Sequence, residues 1–200
     1  MSFIKTISFK NATGKLKKIY DRIKGPDGHI DHVLSIHSLR PHTLEGHMAL
    51  YKAVLHHTGN QLPKWYLETL GTYISQINHC DYCATHHAVG LKKNLGDDEK
   101  YEQIMQAMQS KNFDDVLDSK LVLGIKHSVK LTLDHANITN EDIQELRAAG
   151  FADGEILEIN QVSCYFNYVN RMVVGLGVDL ETGNIGLSPS SDESDDWGHV

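Results

Sequence analysis

Asn78-His79-Cys80-Asp81-Tyr82-Cys83-Ala84-Thr85-His86-His87 places two of the chain's three cysteines and three histidines, two of them adjacent, inside ten residues. A Cys-x-x-Cys that opens a helix puts both thiols in the first turn, where free backbone N–H groups and the positive end of the macrodipole favour thiolate over thiol. Asn78 is a suitable N-cap, and Asp81 suits a first turn. His87 follows Cys83 at i+4, so an imidazole stands one turn further along the same face. A proton acceptor is thereby set beside a nucleophile.

The segment before this stretch supplies a third group. Pro63 to Ile77 reads as a helix, with Pro63 at its start and Trp65, Leu67, Leu70, Tyr73, Ile74 and Ile77 at helical spacing. A tight turn at Asn78 folds the two helices into an antiparallel hairpin. Helical rise then sets Glu68 about 15 Å back from the turn and His87 about 13 Å forward, which brings them level. The expected chain is Glu68, His87, Cys83, Cys80: a carboxylate orients an imidazole, and the imidazole draws a proton from a thiol. A cysteine near pKa 8.5 is about 3% thiolate at pH 7, and one lowered to about 7 is half ionised, a gain of roughly fifteenfold.

Working outward, 200 residues with 40% hydrophobic and 22% charged content suit one soluble domain over residues 1 to 181. A net charge of −7, with no basic cluster larger than Lys15-Leu16-Lys17-Lys18, argues against a nucleic-acid partner. Three cysteines with one close pair fit a reducing compartment rather than a disulfide framework. Neither a signal-like apolar run at the N-terminus nor a membrane-length segment is present, so the expectation is a cytoplasmic protein without a membrane partner.

The rest of the chain reads as helix after helix. Residues 2 to 10 alternate weakly and read as extended, packed on a neighbour. A helix from Asn11 or Thr13 ends at Lys24-Gly25-Pro26-Asp27-Gly28; a short one covers Ile30 to Leu39, and a longer one Thr43 to His57. Further helices start at Gly96-Asp97-Asp98, run from Asp118 to Asp134, open on a capping box at Thr139 to Asp142, and run from Asp153 to Gly175. With period-2 alternation almost absent beyond the first ten residues, the fold class is all-α, a helical bundle whose hairpin carries the Cys-x-x-Cys. From 182 to 200 Gly, Ser, Pro and acids give a mobile or loosely docked tail, with Trp197 either an anchor against another subunit or simply exposed.

Each signal has a plainer competitor. Cys80, Cys83 and either His86 or His87 are three zinc ligands of suitable type, although a second Cys/His pair at finger spacing is missing. His86 points away from His87, towards the surface or an interface. His32, His37, His42 and His47 recur every five residues, a step of about 140° that scatters them around one helix. Cys164, beside Tyr165 and Phe166, reads as a core thiol. Asn167, Asn170 and Arg171 line either a pocket, a subunit contact or open surface.

The pattern Glu68-x11-Cys80-x2-Cys83-x3-His87 resembles the AhpD-like alkylhydroperoxidases of the carboxymuconolactone decarboxylase superfamily. Ser38-Leu39-Arg40-Pro41, Leu146-Arg147-Ala148-Ala149-Gly150-Phe151 and Tyr165-Phe166-Asn167-Tyr168-Val169-Asn170-Arg171 look like its peroxidase-related branch. The resemblance covers residues 10 to 180. It implies an AhpD-like helical bundle, homo-oligomers such as trimers or hexamers, and reduction of a small-molecule hydroperoxide at the expense of a dithiol reductant. By the same resemblance Cys83 is the peroxidatic thiol, Cys80 the proton donor and resolving thiol, and His87 and Glu68 the relay. Tyr82 stands where well-studied members carry histidine, which removes or alters one proton path. This chemistry needs no metal, haem or flavin. Two other functions fit the same residues: lactone decarboxylation or isomerisation on this scaffold, and a non-enzymatic redox sensor or zinc-binding module.

Overall fold

The computed structural model describes residues 2–25, 28–183, 185 and 186. Among them are nine α-helices and no β-strand. In order these are α1 (Gly14–Ile23), α2 (His32–Ser35), α3 (Pro41–Tyr51), α4 (Lys64–Ile77), α5 (Asp81–Leu95), α6 (Asp98–Ser110), α7 (Ser119–Leu133), α8 (Asn140–Ala148) and α9 (Asp153–Gly175). None is long and apolar enough to cross a membrane.

The central rod is α4. Every residue from Tyr66 to Ser75 is buried, as expected of a helix covered by neighbours all round rather than on one stripe. It pairs with α5 as the expected hairpin and also packs on α7 and α9. The approach to α9 is close: a Cβ on Gly71 would run into the ring of Phe166. Bulk at position 71 would hold the two helices apart.

The caps that hold the remaining helices are those the sequence suggests. Asp97 accepts from the Lys100 amide and Asp118 from the Leu121 amide, each at 2.9 Å, and the Thr139 amide donates to Asp142 at 2.7 Å. Each satisfies a donor that the first helical turn leaves open.

Several local expectations are corrected. Asn78 is not the N-cap of α5; it closes α4, and Cys80 takes the N-cap position. The reversal is made at His79, whose φ of 54° lies in the left-handed region, after which the Cys80 amide donates to the Ser75 carbonyl at 2.9 Å. Only Cys83 therefore sits inside the first turn. The α-helix expected from Thr43 to His57 spans Pro41–Tyr51 and continues as a π-type turn, Lys52–His56. Of Ile30 to Leu39 only His32–Ser35 is helical.

Residues 2 to 10 pack on their own chain: the Phe3 amide donates to Leu176 and the Ile7 amide to Ser38 Oγ. Cys164 is exposed, because the buried side of α9 runs through Ile159, Val162, Ser163, Phe166, Asn170 and Val173 and position 164 is turned about 100° from 163. Trp197 and the acidic residues of the tail lie outside the described residues.

The core has two parts. The larger gathers α4, α5, α6, α7 and α9 around residues such as Tyr66, Leu70, Leu91 and Phe166. The smaller joins α1, α2 and α3 through Leu16, Ile19, Tyr20, Ile23, Leu34, Leu44 and Met48.

Candidate active site

The hairpin sets Glu68 of α4 against His87 of α5, with Glu68 Oε2 2.7 Å from His87 Nδ1. Glu68 is 2% exposed, and the room for its carboxyl group comes from Gly90, where a Cβ would lie 2.9 Å from Oε1. A carboxylate at Nδ1 holds the proton there and leaves the Nε2 lone pair free as the acceptor. The imidazole is wedged edge-on against Phe166, its centroid 4.6 Å from that ring. Its orientation is thus fixed from two sides.

Cys80 and Cys83 approach to 2.8 Å, and both are buried. Their titration is shared. The hydrogen bond from Cys83 draws the first ionisation, on Cys80, below the ordinary thiol range, against the opposing effect of burial; Asn170 adds a further hydrogen bond. The same hydrogen bond between the sulfurs, burial and the charge on Cys80 push Cys83 upward. The pair therefore holds one proton loosely and one tightly. The sequence reading sets the lowered value on Cys83; in the pair the two thiols titrate together and share the easily lost proton.

Asn170, left undecided among pocket, interface and surface, is buried at this pair. Its Oδ1 accepts from Asn78 Nδ2 at 3.0 Å and its Nδ2 donates to Ser75 Oγ at 3.0 Å. Asn78 is thereby spent on α9 rather than on capping α5. Asn167 joins through its Oδ1, 3.3 Å from the same Asn78 amide nitrogen, while Arg171 is exposed.

Cys83, His87 and Glu68 line one cavity of about 50 Å³, together with Asp31, Leu34, His47, Tyr51, Tyr82, His86, Tyr165 and Val169. Cys80 does not reach it. Burial lifts the phenols of Tyr51 and Tyr165 well above their ordinary values, with the Glu68 charge adding to both, so both stay protonated as donors.

His86 does not face solvent; it is buried, with Nε2 2.8 Å from Glu181 Oε2, and its Nδ1 accepts from the Gly186 amide at 3.2 Å. The first part of the expected tail is thus docked on α5. The histidine series also behaves unlike one helix, because the chain turns at Arg40 and Pro41. His37 and His47 come within 5.0 Å of each other, ring to ring, whereas His32 Nδ1 lies 2.7 Å from the Asp179 carbonyl oxygen and His42 is exposed.

Comparison with solved structures gives the fold its place. A protein described as an alkylhydroperoxidase AhpD core, an uncharacterized peroxidase-related protein from Ralstonia eutropha JMP134, superposes with a TM-score of 0.77 at 19% identity, covering 90% of this chain and 93% of its own. The fold is AhpD-like. A peroxidase-related protein from Silicibacter sp. TM1040 shares the AhpD-like fold with a TM-score of 0.71 at 22% identity, over 90% of this chain and 89% of its own. The debrominase Bmp8 has it too, with a TM-score of 0.65 at 14% identity over 84% and 87%. No protein-family model and no curated protein matches the sequence, so the likeness is one of structure.

Proposed function

We propose that this AhpD-like protein reduces hydroperoxides with its own thiol pair, Cys83 attacking and Cys80 resolving, with His87 and Glu68 moving the proton. The observation that carries this reading is the cavity: Cys83 opens on it beside His87, His87 is held by buried Glu68, and Cys80 stands 2.8 Å behind without reaching it. Two solved structures of the same fold are described as peroxidase-related, which adds support.

One proton leaves the pair to His87 Nε2, and the Glu68 carboxylate stabilises the imidazolium. The remaining proton is shared across the 2.8 Å contact, and the attacking form is the one that has passed it to Cys80 and carries the thiolate on Cys83, facing the cavity. It attacks the distal peroxide oxygen: an S–O bond forms, the O–O bond breaks, and the leaving alkoxide takes the proton from His87 as alcohol or water. The Cys80 thiol then attacks the Cys83 sulfenic acid, an S–S bond forms, and water leaves with the Cys80 proton. A dithiol donor restores both thiols by exchange.

The test is addition of hydrogen peroxide, and separately of an organic hydroperoxide, to reduced protein, with mass spectrometry at Cys83. Cys83→Ser abolishes turnover, whereas Cys80→Ser leaves a sulfenic acid that a dione probe traps and no disulfide. Peroxide turnover by Cys83→Ser at the parent rate would overturn the reading.

A further inference from the structure

Asp31, which lines the cavity, belongs also to a second cluster with a different chemistry. His29, Asp31 and Glu181 each offer one ligand atom, an imidazole nitrogen and two carboxylate oxygens, all within 4.8 Å of one another. They come from two distant segments: the loop leading into α2, and the chain after α9. Both carboxylates are 6% exposed. Two like charges brought together out of water repel, and a cation shared between them would relieve that repulsion beyond what the imidazoles of His29 and His86 supply.

Glu181 is already oriented. Its Oε1 accepts from Tyr82 Oη at 2.7 Å and from the His32 amide at 2.5 Å, and its Oε2 lies 2.8 Å from His86 Nε2. A carboxylate has about four lone-pair directions, so three donors fix the group and leave one direction for a ligand bond. Asp31 Oδ1 lies 3.3 Å from His29 Nε2. Bonds of about 2.0–2.1 Å to one metal keep its donor atoms about 3.0–3.4 Å apart, so these two are already at ligand spacing. His86 has the place of a group that steadies a metal-binding carboxylate from behind.

We propose that His29, Asp31 and Glu181 bind a divalent first-row cation, of the class of Zn²⁺ or Mn²⁺. One imidazole with two carboxylates is a harder donor set than a thiolate pair, and it suits those ions rather than Cu(I). The ion ties the loop before α2 to the segment after α9. Asp31 and His86 both line the cavity that Cys83 opens on, so the ion braces that wall. The site is independent of the thiol chemistry and of the zinc alternative built on Cys80 and Cys83.

The experiment uses the full chain carrying Cys80→Ser and Cys83→Ser, which removes the thiols as competing ligands. After chelator treatment it is titrated calorimetrically with Zn²⁺ and with Mn²⁺, and metal retained through gel filtration is counted by mass spectrometry. One equivalent is expected for at least one of the two ions. Affinity should fall tenfold or more when His29→Gln or Asp31→Asn is added, and stay unchanged with exposed His42→Gln. His29 is only half-buried, so His29→Gln keeps the fold, which circular dichroism checks. The bound ion should raise the Tm of the double-serine protein and not of its His29→Gln derivative. Absence of binding to the double-serine protein, or equal affinity in the His29→Gln and Asp31→Asn derivatives, would overturn the site.

Discussion

Asn170 is the residue whose position matters most to the sulfurs and is least evident from its neighbours in the chain. It reaches the pair from α9, bonded to Ser75 and Asn78, and its hydrogen bonds lower the titration of both thiols. A thiol whose pKa is lowered is ionised above that lowered value and loses its charge as pH falls through it. Thiolate absorbance at 240 nm in the reduced protein should therefore rise in two separate steps, the first below the ordinary cysteine value and the second far above it. Asn170→Leu should move the first step upward and slow peroxide oxidation of Cys83 at pH 7 by about the fraction of thiolate lost. A single step for both thiols at the ordinary value would show that the sulfurs do not share a proton. His87 acts differently, because it moves the proton rather than stabilising the charge. His87→Gln should lower the rate of Cys83 oxidation by about 10² or more, as for loss of a general acid–base group, while leaving the first absorbance step near its place.

The hairpin of α4 and α5 works because its two helices differ in what they put at the contact. Glu68 is a large charged group on the inner rod, and Gly90 opposite it has no side chain. Gly90→Ala sets a methyl group against Glu68 Oε1, so either the helices part or the carboxylate turns away from His87. Overpacking of this kind costs about 1–3 kcal/mol. The expected result is a modest fall in denaturant midpoint together with a loss of peroxide reactivity close to that of Glu68→Gln. Full reactivity in a stable Gly90→Ala protein would mean that the Glu68 contact does not govern the imidazole. This hairpin was legible in the sequence, since Glu68, Cys80, Cys83 and His87 lie within twenty residues and helical rise alone brings the outer two level. The caps at Asp97, Asp118 and Thr139 were legible for the same local reason. Gly90 was passed over because a glycine in a helix announces nothing unless the group facing it is known. Cys164 was misread because its neighbours Tyr165 and Phe166 are buried, and one step along a helix is enough to change face. His86, Asp31 and Glu181 were out of reach: their contacts join residues that the chain separates by about a hundred positions or more, and no local period encodes such a meeting.

Across the whole molecule, the cavity lies where the two core clusters meet. Leu34 belongs to the smaller cluster; Tyr51, Tyr82, Cys83, Tyr165 and Val169 belong to the larger, and Val33 packs against both. The smaller cluster has eight buried members built mainly from short helices at the start of the chain, so it should open at a lower free energy than the body around α4. Cys83 is then guarded by the weaker of the two cores. Ile19, 1% exposed, tests this from a distance, because it lines no part of the cavity. Ile19→Ala removes buried apolar volume at a cost of about 2–5 kcal/mol and should act first on the small cluster. Under native conditions, alkylation of Cys83 should quicken several-fold, while exposed Cys164 reacts at its parent rate and serves as the internal reference. Amides in α4 should keep their hydrogen-exchange protection over the same interval. Alkylation of Cys83 that instead rises only in step with exchange in α4 would mean that both clusters open together and that the seam gives no separate entry to the thiol.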